Sequence, residues 1–251
     1  MHLIDNPAGN YRFLTGIAPY SSGVIAMPGY EIVHVTLHTP IPYRQGFALI
    51  DQQLTAEGRP QQALCAMELR SPTPFTFAGF AEFNAGYQAI LAEWGLLRDE
   101  GNPIARTNIA PEVAPPTEPS LYGFSYTIPT TSTLPPTFVI AGAGDLQGGV
   151  LAPEAIVRQN ETTADAIREK AAHVMGIMTK RLLGLQAEWS QLTAVDVYTI
   201  HPLQPFVATE ILEKLGSGAT HGLRWFYSRP PIIGLEFEMD MRGIRREIRL
   251  E

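Results

Sequence analysis

The chain contains 251 residues, of which 45% are hydrophobic and 17% are charged, and its formal net charge is −7. No apolar run approaches the roughly 18 to 20 residues that a membrane helix needs, the acidic balance disfavours a nucleic-acid partner, and the single cysteine excludes internal disulfides. Residues 1–20 show no secretory pattern, so we expect a globular cytoplasmic protein that binds neither membrane nor nucleic acid.

The first half is predicted to fold in the order strand, strand, helix, strand, helix, followed by two extended segments. The five elements cover residues 13–18, 30–37, 44–57, 63–70 and 79–94. The strands are rich in β-branched and aromatic residues. In the first helix Phe47, Ile50 and Leu54 recur at spacings of three and four, and Gly58 follows as a residue that commonly ends a helix.

The second half is predicted to repeat this order with a strand over 138–141, a helix over 163–183, a strand over 192–200 and a helix over 205–215, before two final strands. Thr162 and Asp165 resemble a capping box at the start of the long helix. Its apolar positions recur on one side, and Lys180 and Arg181 suit the negative end of its dipole.

Two helix-to-strand segments, residues 58–72 and 184–200, repeat the same pattern of apolar, acidic and hydroxyl residues. The matched positions are Leu64 with Leu192, Ala66 with Ala194, Glu68 with Asp196, Leu69 with Val197 and Ser71 with Thr199. A repeat of roughly 125 residues is long enough to bury its own core. We therefore predict a tandem duplication, with a first unit over 1–129, a linker over 130–136 and a second unit over 137–251.

Each unit is predicted to be α+β, with two helices on one face of a mostly antiparallel sheet. The chain carries four short motifs: FLTG and VIAG in the first strands, ARTN in the first unit and GLEFEMD in the last strand. Together with the element order, these motifs resemble the reactive intermediate deaminase family, also called RidA, YjgF or endoribonuclease L-PSP. The run RPPIIGLEFEMD is similar to its 2-aminomuconate deaminase branch. The resemblance implies a chorismate-mutase-like fold, a homotrimer of six units with sites between units, and cofactor-free hydrolysis of enamines or imines.

The resemblance also implies which residues form the site. The family arginine, which binds the substrate carboxylate, corresponds to Arg106, and the family glutamate, which handles the attacking water, corresponds to Glu236. The backbone of a Ser-Gly pair in the family corresponds to Thr15–Gly16 in the first unit and Ala141–Gly142 in the second. Because neither unit carries both the arginine and the glutamate, we expect a composite site where a first unit meets a second unit.

A different carboxylate anchor in the second unit is the alternative to a composite site. His221 or a neighbour takes the place of the family arginine there, and Arg224 and Arg229 are the candidate anchors, with Trp225 and Tyr227 as walls. Guanidinium groups suit this role because their planar fork matches a carboxylate.

Glu236, Glu238 and Asp240 alternate with apolar residues and so lie on one face of the last strand. Three carboxylates on one face most often indicate a solvated face. If this face instead meets another unit, the acids are buried and titrate abnormally. We assign catalysis to Glu236 and a structural role to the other two.

Two functions from different classes remain open on the sequence. One is a deaminase that releases ammonia from a small carboxylated enamine or imine similar to 2-aminomuconate, and the other is a non-catalytic module that binds a small carboxylate or scaffolds partners. We predict no metal site, because four residues on a strand separate His34 from His38 by about 13 Å. Cys65 occupies an alternating strand position and is predicted to be buried core.

Overall fold

Two β-sheets lie face to face in the computed structural model, which describes residues 1–251, and helices cover the outer face of each sheet. The strands are β1 (Leu3–Asn6), β2 (Tyr11–Leu14), β3 (Gly23–Ala26), β4 (Tyr30–Pro42), β5 (Leu64–Arg70), β6 (Ala105–Pro111), β7 (Ser120–Pro129), β8 (Phe138–Gly144), β9 (Ala194–Tyr198), β10 (Arg224–Phe226), β11 (Ser228–Arg229), β12 (Glu238–Gly243) and β13 (Arg246–Leu250). The helices are α1 (Tyr43–Ala56), α2 (Phe77–Glu93), α3 (Ala164–Gly184) and α4 (Glu213–Leu215). None of them combines the length and apolar character needed to cross a lipid bilayer.

The seven-stranded sheet has the order β1-β2-β3-β8-β12-β9-β10, and the six-stranded sheet has the order β11-β6-β5-β7-β4-β13. The pairs β5–β6, β9–β10 and β4–β13 are parallel, and the other neighbouring strands are antiparallel. Helices α1 and α2 pack on the six-stranded sheet, whereas α3 and the segment around α4 pack on the seven-stranded sheet. The predicted α+β class, with helices on one face of each mostly antiparallel sheet, is confirmed.

Strands of each predicted unit pair with strands of the other unit. Strands β1 to β3 belong to the first predicted unit, yet β3 pairs with β8 of the second. In the opposite direction, β13 pairs in parallel with β4, and β11 pairs with β6. Residues 130–136 belong to no helix or strand. The division at this segment stays a prediction, and the two sheets are tied together at both ends of the chain.

The long helix α3 begins one residue later than its sequence pattern indicates. Thr163 is the cap, because its hydroxyl oxygen accepts a hydrogen bond of 3.2 Å from the backbone N–H of Ala166. The helix predicted over 205–215 is different: a π-helical segment, Val207–Leu212, leads into the single turn of α4. Phe206 and Ile211 are both buried at a spacing of five, which suits a π-turn better than an α-turn.

Apolar residues, both aromatic and small, and charged groups fill the space between the sheets. The apolar part contains Tyr11, Phe13, Cys65, Ala66, Ala105 and Ala141, among others. Cys65 is fully buried, as predicted. In the charged part, Arg242 Nη1 donates to Asp196 Oδ2 at 3.0 Å and to Glu68 Oε1 at 3.3 Å. The sheets are therefore joined by an ionic cluster as well as by apolar contact.

The acidic side chains of β12, which the sequence predicts as the last strand, are buried between the sheets, so their interpretation as a solvated face is wrong. Glu238 is 4% exposed and Asp240 is 2% exposed. Burial, reinforced by the charges of Asp196 and Glu68, raises the pKa of Asp240 to about 7. The burial expected if this face meets another unit is confirmed for these two acids, and burial is the main cause of the raised pKa of both.

Asp240→Asn is expected to flatten the pH dependence of stability. A carboxyl group whose pKa rises on folding stabilises the fold fully below its unfolded pKa of about 4, and this contribution is lost as the pH rises through the folded pKa of about 7. The hydroxyls of Thr107 and Tyr198 both donate to Asp240 Oδ2, and an amide oxygen would still accept these bonds. Urea unfolding at a series of pH values should show a smaller fall in unfolding free energy between about pH 4 and 7 than in the parent. Exposed Asp99→Asn is the control, and a parental slope in Asp240→Asn would contradict the account.

Candidate active site

A cleft opens where β6 of the six-stranded sheet meets β8 and β12 of the seven-stranded sheet. It consists of a cavity of about 340 Å³ and an adjoining pocket of about 30 Å³. The two share Tyr20, Gly142, Gly144, Leu146 and Leu151 as lining residues. We call this pair of cavities the central cleft. It draws on both predicted units, as a composite site requires.

Arg106 on β6 lines the smaller part of the central cleft and is only 2% exposed. Its Nη2 donates to Asn84 Oδ1 at 2.7 Å, but its Nε and Nη1 are buried without a hydrogen-bond partner. The guanidinium lies 4.8 Å from the ring centroid of Tyr20 and 4.7 Å from that of Tyr87. A buried charged donor without a partner costs folding free energy, and a bound anion would supply the missing hydrogen-bond acceptor.

Glu238, the first residue of β12, lines the same pocket as Arg106. Its carboxyl group lies against Gly142 of β8. Burial, followed by the negative charge of Asp240, raises the pKa of Glu238 well above its usual range. The site therefore combines a cation with free donors and a carboxyl group that favours its protonated form, which is a pairing suited to acid–base chemistry on a carboxylated molecule.

The backbone of Ala141 and Gly142 is held by Arg181 of α3. Arg181 Nη1 donates to the carbonyl of Ala141 at 2.7 Å and to that of Gly142 at 3.1 Å. The sequence analysis predicts for Arg181 only a favourable charge at the end of the helix. In the structure its side chain reaches β8. Arg181 thus fixes the backbone that lies beside Glu238.

Gly142→Ala is expected to lower catalysis by displacing Glu238. A Cβ atom at position 142 would overlap Glu238 Oε1 and lie 3.1 Å from the Thr107 hydroxyl. A shift of about 1 Å in a catalytic group can cost roughly 100-fold in rate. Assays of the deaminase activity that the family resemblance implies should show a loss of this order. Gly176→Ala is the matched control, because nothing lies within 4 Å of a Cβ there; equal activity of both variants would contradict the assignment.

Thr15 and Gly16 line the larger cavity of the central cleft. Thr15 Oγ1 accepts a hydrogen bond of 2.9 Å from the backbone N–H of His2. A side chain at Gly16 would overlap the carbonyl of Tyr20, so the chain can turn this tightly only with glycine. The predicted strand over 13–18 accordingly ends at Leu14, and the following loop forms one wall of the cleft.

Glu236 lies outside the central cleft, in contrast to its predicted place beside the arginine. Its Oε2 is 2.8 Å from His201 Nε2. The backbone N–H groups of Glu236 and Phe237 both donate to Asp145 Oδ1, at 3.0 and 3.3 Å, and β12 begins only at Glu238. Because of this turn, the acid that shares a pocket with Arg106 is Glu238, two residues after the predicted Glu236.

The two alternative carboxylate anchors already bind carboxylates of the protein. Arg224 Nε and Nη2 donate to Asp196 at 2.6 and 2.7 Å. Arg229 donates to Glu112 from Nε at 2.7 Å and from Nη2 at 3.4 Å. Neither residue lines the central cleft. The second unit therefore offers no free guanidinium fork at these positions.

The remaining predicted binding residues also lie away from the central cleft. Trp225 Nε1 donates to the carbonyl of Thr199 at 2.9 Å. Tyr227 is 52% exposed. His221 is exposed at the end of a 3-10 turn, Gly216–His221, and lines a separate cavity of about 150 Å³ with Arg224. These side chains do not form a single site with Arg106.

Sequence reasoning missed Tyr20 and Asn108 of the central cleft and gave Glu238 only a structural role. Asn108 ends the ARTN motif, so its position after Arg106 was a usable signal. Its Oδ1 accepts a hydrogen bond of 3.0 Å from Ser71 Oγ, and its Nδ2 is buried without a partner. Tyr20 lies in a loop with no motif. No group of three or more His, Cys, Asp or Glu side chains is arranged to hold a metal ion.

Comparison with solved structures gives two distant similarities. A chorismatase is 13% identical, with 88% of this chain and 77% of that chain covered and a TM-score of 0.46. A candidate endoribonuclease from Thermotoga maritima is 14% identical, with 55% of this chain and 92% of that chain covered and a TM-score of 0.30. Neither similarity is close enough to assign a function.

Sequence comparison is much more specific. Residues 3–248 match the family model described as 2-aminomuconate deaminase CnbZ. A 2-amino-5-chloromuconate deaminase from Comamonas testosteroni is 43% identical over 242 residues, which cover 95% of each chain. The prediction of an enzyme of the deaminase class, related to the 2-aminomuconate branch, is confirmed. The chain belongs to the 2-aminomuconate deaminase family.

Proposed function

We propose that the central cleft hydrolyses a carboxylated enamine or imine similar to 2-aminomuconate, giving the 2-oxo acid and ammonia without a cofactor. The observation that carries this proposal is the pair of unpartnered donors, Nε and Nη1, on buried Arg106 in the pocket that Glu238 also lines. Guanidinium N–H groups that the protein leaves free can donate charge-assisted hydrogen bonds to a carboxylate. The substrate carbon that carries the amine would then lie beside the Glu238 carboxyl group.

Glu238 would act first as an acid and then as a base. In its protonated form it gives a proton to the carbon adjacent to the amine-bearing carbon, which converts the enamine to an iminium ion. The resulting carboxylate takes a proton from water as the water oxygen bonds to the iminium carbon. The same proton is then delivered to the amine nitrogen. Ammonia leaves as the Glu238 carboxylate takes the proton of the new hydroxyl group, which forms the carbonyl and restores the acid form of Glu238. The raised pKa of Glu238 supports the first step, because it keeps the acid form available at a higher pH.

The larger cavity supports a substrate with two carboxylates. Its volume of about 340 Å³ falls within the range of small-molecule sites, and Lys180 and Arg181 lie along its wall. With one carboxylate on Arg106, an extended diacid would direct its second carboxylate toward these cations. This arrangement favours a diacid such as 2-aminomuconate over a short 2-imino acid.

Assembly as a homotrimer of six units is part of the proposal and is supported by the family resemblance. Sedimentation equilibrium should give three times the chain mass of 27.5 kDa. A monomer mass that persists at assay concentration would contradict it.

Ammonia release from freshly generated 2-aminomuconate tests the proposed function. The parent protein should release ammonia in proportion to substrate, with a higher kcat/KM than for 2-iminopropionate, which has a single carboxylate. The metal content of the active sample should be measured in parallel, because turnover that tracks a bound metal would contradict the cofactor-free mechanism. Binding of 2-aminomuconate without ammonia release would instead identify a non-catalytic carboxylate-binding module.

A further inference from the structure

A second cavity, of about 480 Å³, lies at the edge of the six-stranded sheet where β11 joins β6. It shares no lining residue with the central cleft. Its walls come from the ends of β4, β5 and β6, from β7, and from the segment that links β10 to β11. Pro111, the last residue of β6, and Pro116, in the segment that follows, form one side.

Arg70, at the end of β5, supplies a positive charge to this cavity and is only 3% exposed. Its Nη1 donates to the carbonyl of Leu69 at 3.0 Å, whereas its Nη2 is buried without a hydrogen-bond partner. The nearest acid, Glu68, is 3.7 Å from Nη2 and lies closer to Arg242, at 3.3 Å. Arg70 therefore retains a donor that the protein itself does not satisfy.

Aromatic rings surround the Arg70 guanidinium. Its Cζ lies 3.8 Å from the ring centroid of Tyr122 and 5.5 Å from that of Phe226. Phe226 is in turn stacked on Tyr198, with ring centroids 5.1 Å apart. Tyr227 is half exposed at the rim. A flat molecule can contact these rings while a charged group at its end reaches the guanidinium.

We propose that this cavity, which we call the Arg70 pocket, is a second binding site for a small planar carboxylate, separate from the central cleft. The carboxylate accepts a hydrogen bond from Arg70 Nη2, and the planar body packs against Tyr122 and Phe226. Charge selects an anion, and the aromatic walls select a flat, conjugated body. A saturated or neutral molecule satisfies only one of these two features. The site is independent of the proposed deamination chemistry.

Isothermal titration of the parent protein with benzoate tests this site. Benzoate should bind, and benzyl alcohol, which has the ring without the charge, should give no measurable binding. Arg70→Gln should weaken benzoate binding by at least about tenfold, as expected when a hydrogen bond to a charged group is lost. Arg106→Lys, which alters only the central cleft, should leave the affinity for benzoate in the Arg70 pocket unchanged.

Tyr227→Ala and Tyr122→Leu test the same site without relying on correct folding of the Arg70 variant. Both should weaken benzoate binding by at least about threefold through lost ring contact, because contacts between aromatic rings stabilise a complex beyond the area that they bury. Circular dichroism should confirm that each variant is folded. Failure of benzoate to bind the parent would overturn the proposal. Loss of binding in Arg106→Lys with retention in folded Arg70→Gln would also overturn it, by placing benzoate in the central cleft.

Discussion

Glu238→Gln is expected to reduce ammonia release from 2-aminomuconate by about 100-fold or more, because general acid–base catalysis contributes roughly 10²- to 10⁴-fold. Glutamine has nearly the same shape as glutamate but cannot donate a proton to carbon or accept one from water. The carboxyl group is buried beside Arg106 and makes no side-chain hydrogen bond that the amide would break. The thermal midpoint should therefore stay near that of the parent, and the loss should appear in kcat.

Glu236→Gln is the matched control, since it makes the same chemical change two residues away. Glu236 contacts His201 and does not line the central cleft, so its variant should keep most of the parental kcat. The family resemblance assigns the catalytic acid to Glu236 instead. If Glu236→Gln is inactive and Glu238→Gln is active, the resemblance locates the acid correctly and the mechanism proposed for Glu238 is rejected.

Arg106→Lys is expected to lower kcat/KM for 2-aminomuconate by roughly 10- to 100-fold. Lysine keeps the positive charge but loses the planar fork, and a hydrogen bond to a charged group contributes about 1.5 to 3 kcal/mol. The Asn84 contact, which Nη2 makes at 2.7 Å, would also be lost. Steady-state kinetics should show the effect mainly in KM if Arg106 binds substrate and transition state equally.

Arg229→Lys is the corresponding control for the alternative anchor. Arg229 is paired with Glu112 and lies outside the central cleft, so this variant should have nearly parental kinetics. A large rise in KM in Arg229→Lys, with no change in Arg106→Lys, would move the carboxylate site to the second unit.

The sequence predicts elements well where the signals are local. Helix α3 is within one residue of its predicted start, because a hydroxyl cap and a regular apolar repeat lie within the helix itself. The π-helical segment, Val207–Leu212, was missed because the burial of Phe206 and Ile211 at a spacing of five depends on the sheet beneath. The pairing of β13 with β4 was also missed, since partners about 210 residues apart leave no local pattern.

The same distinction explains the site. Arg106 belongs to a short motif, and its burial follows from its place in the sheet, so sequence reasoning finds it. In the predicted strand Glu236 and Glu238 fall on the same face, and alternation alone cannot separate them. What separates them is the turn held by Asp145, which is about 90 residues earlier in the chain. The split of the family motifs predicts a site lined from both predicted units, and the central cleft has such a lining. Which acid lies in the pocket with Arg106 depends on the distant contact with Asp145.

The location of a bound substrate analogue tests the central claim most directly. Muconate, which lacks the amine and cannot be deaminated, should be soaked into crystals of the parent protein and its position determined by X-ray diffraction. We predict that one carboxylate accepts a hydrogen bond from a free donor of Arg106, Nε or Nη1, with the adjacent carbon beside the Glu238 carboxyl group and the second carboxylate toward Lys180. Muconate bound instead beside Glu236 and His201, with the Arg106 donors still unpaired, would contradict the account.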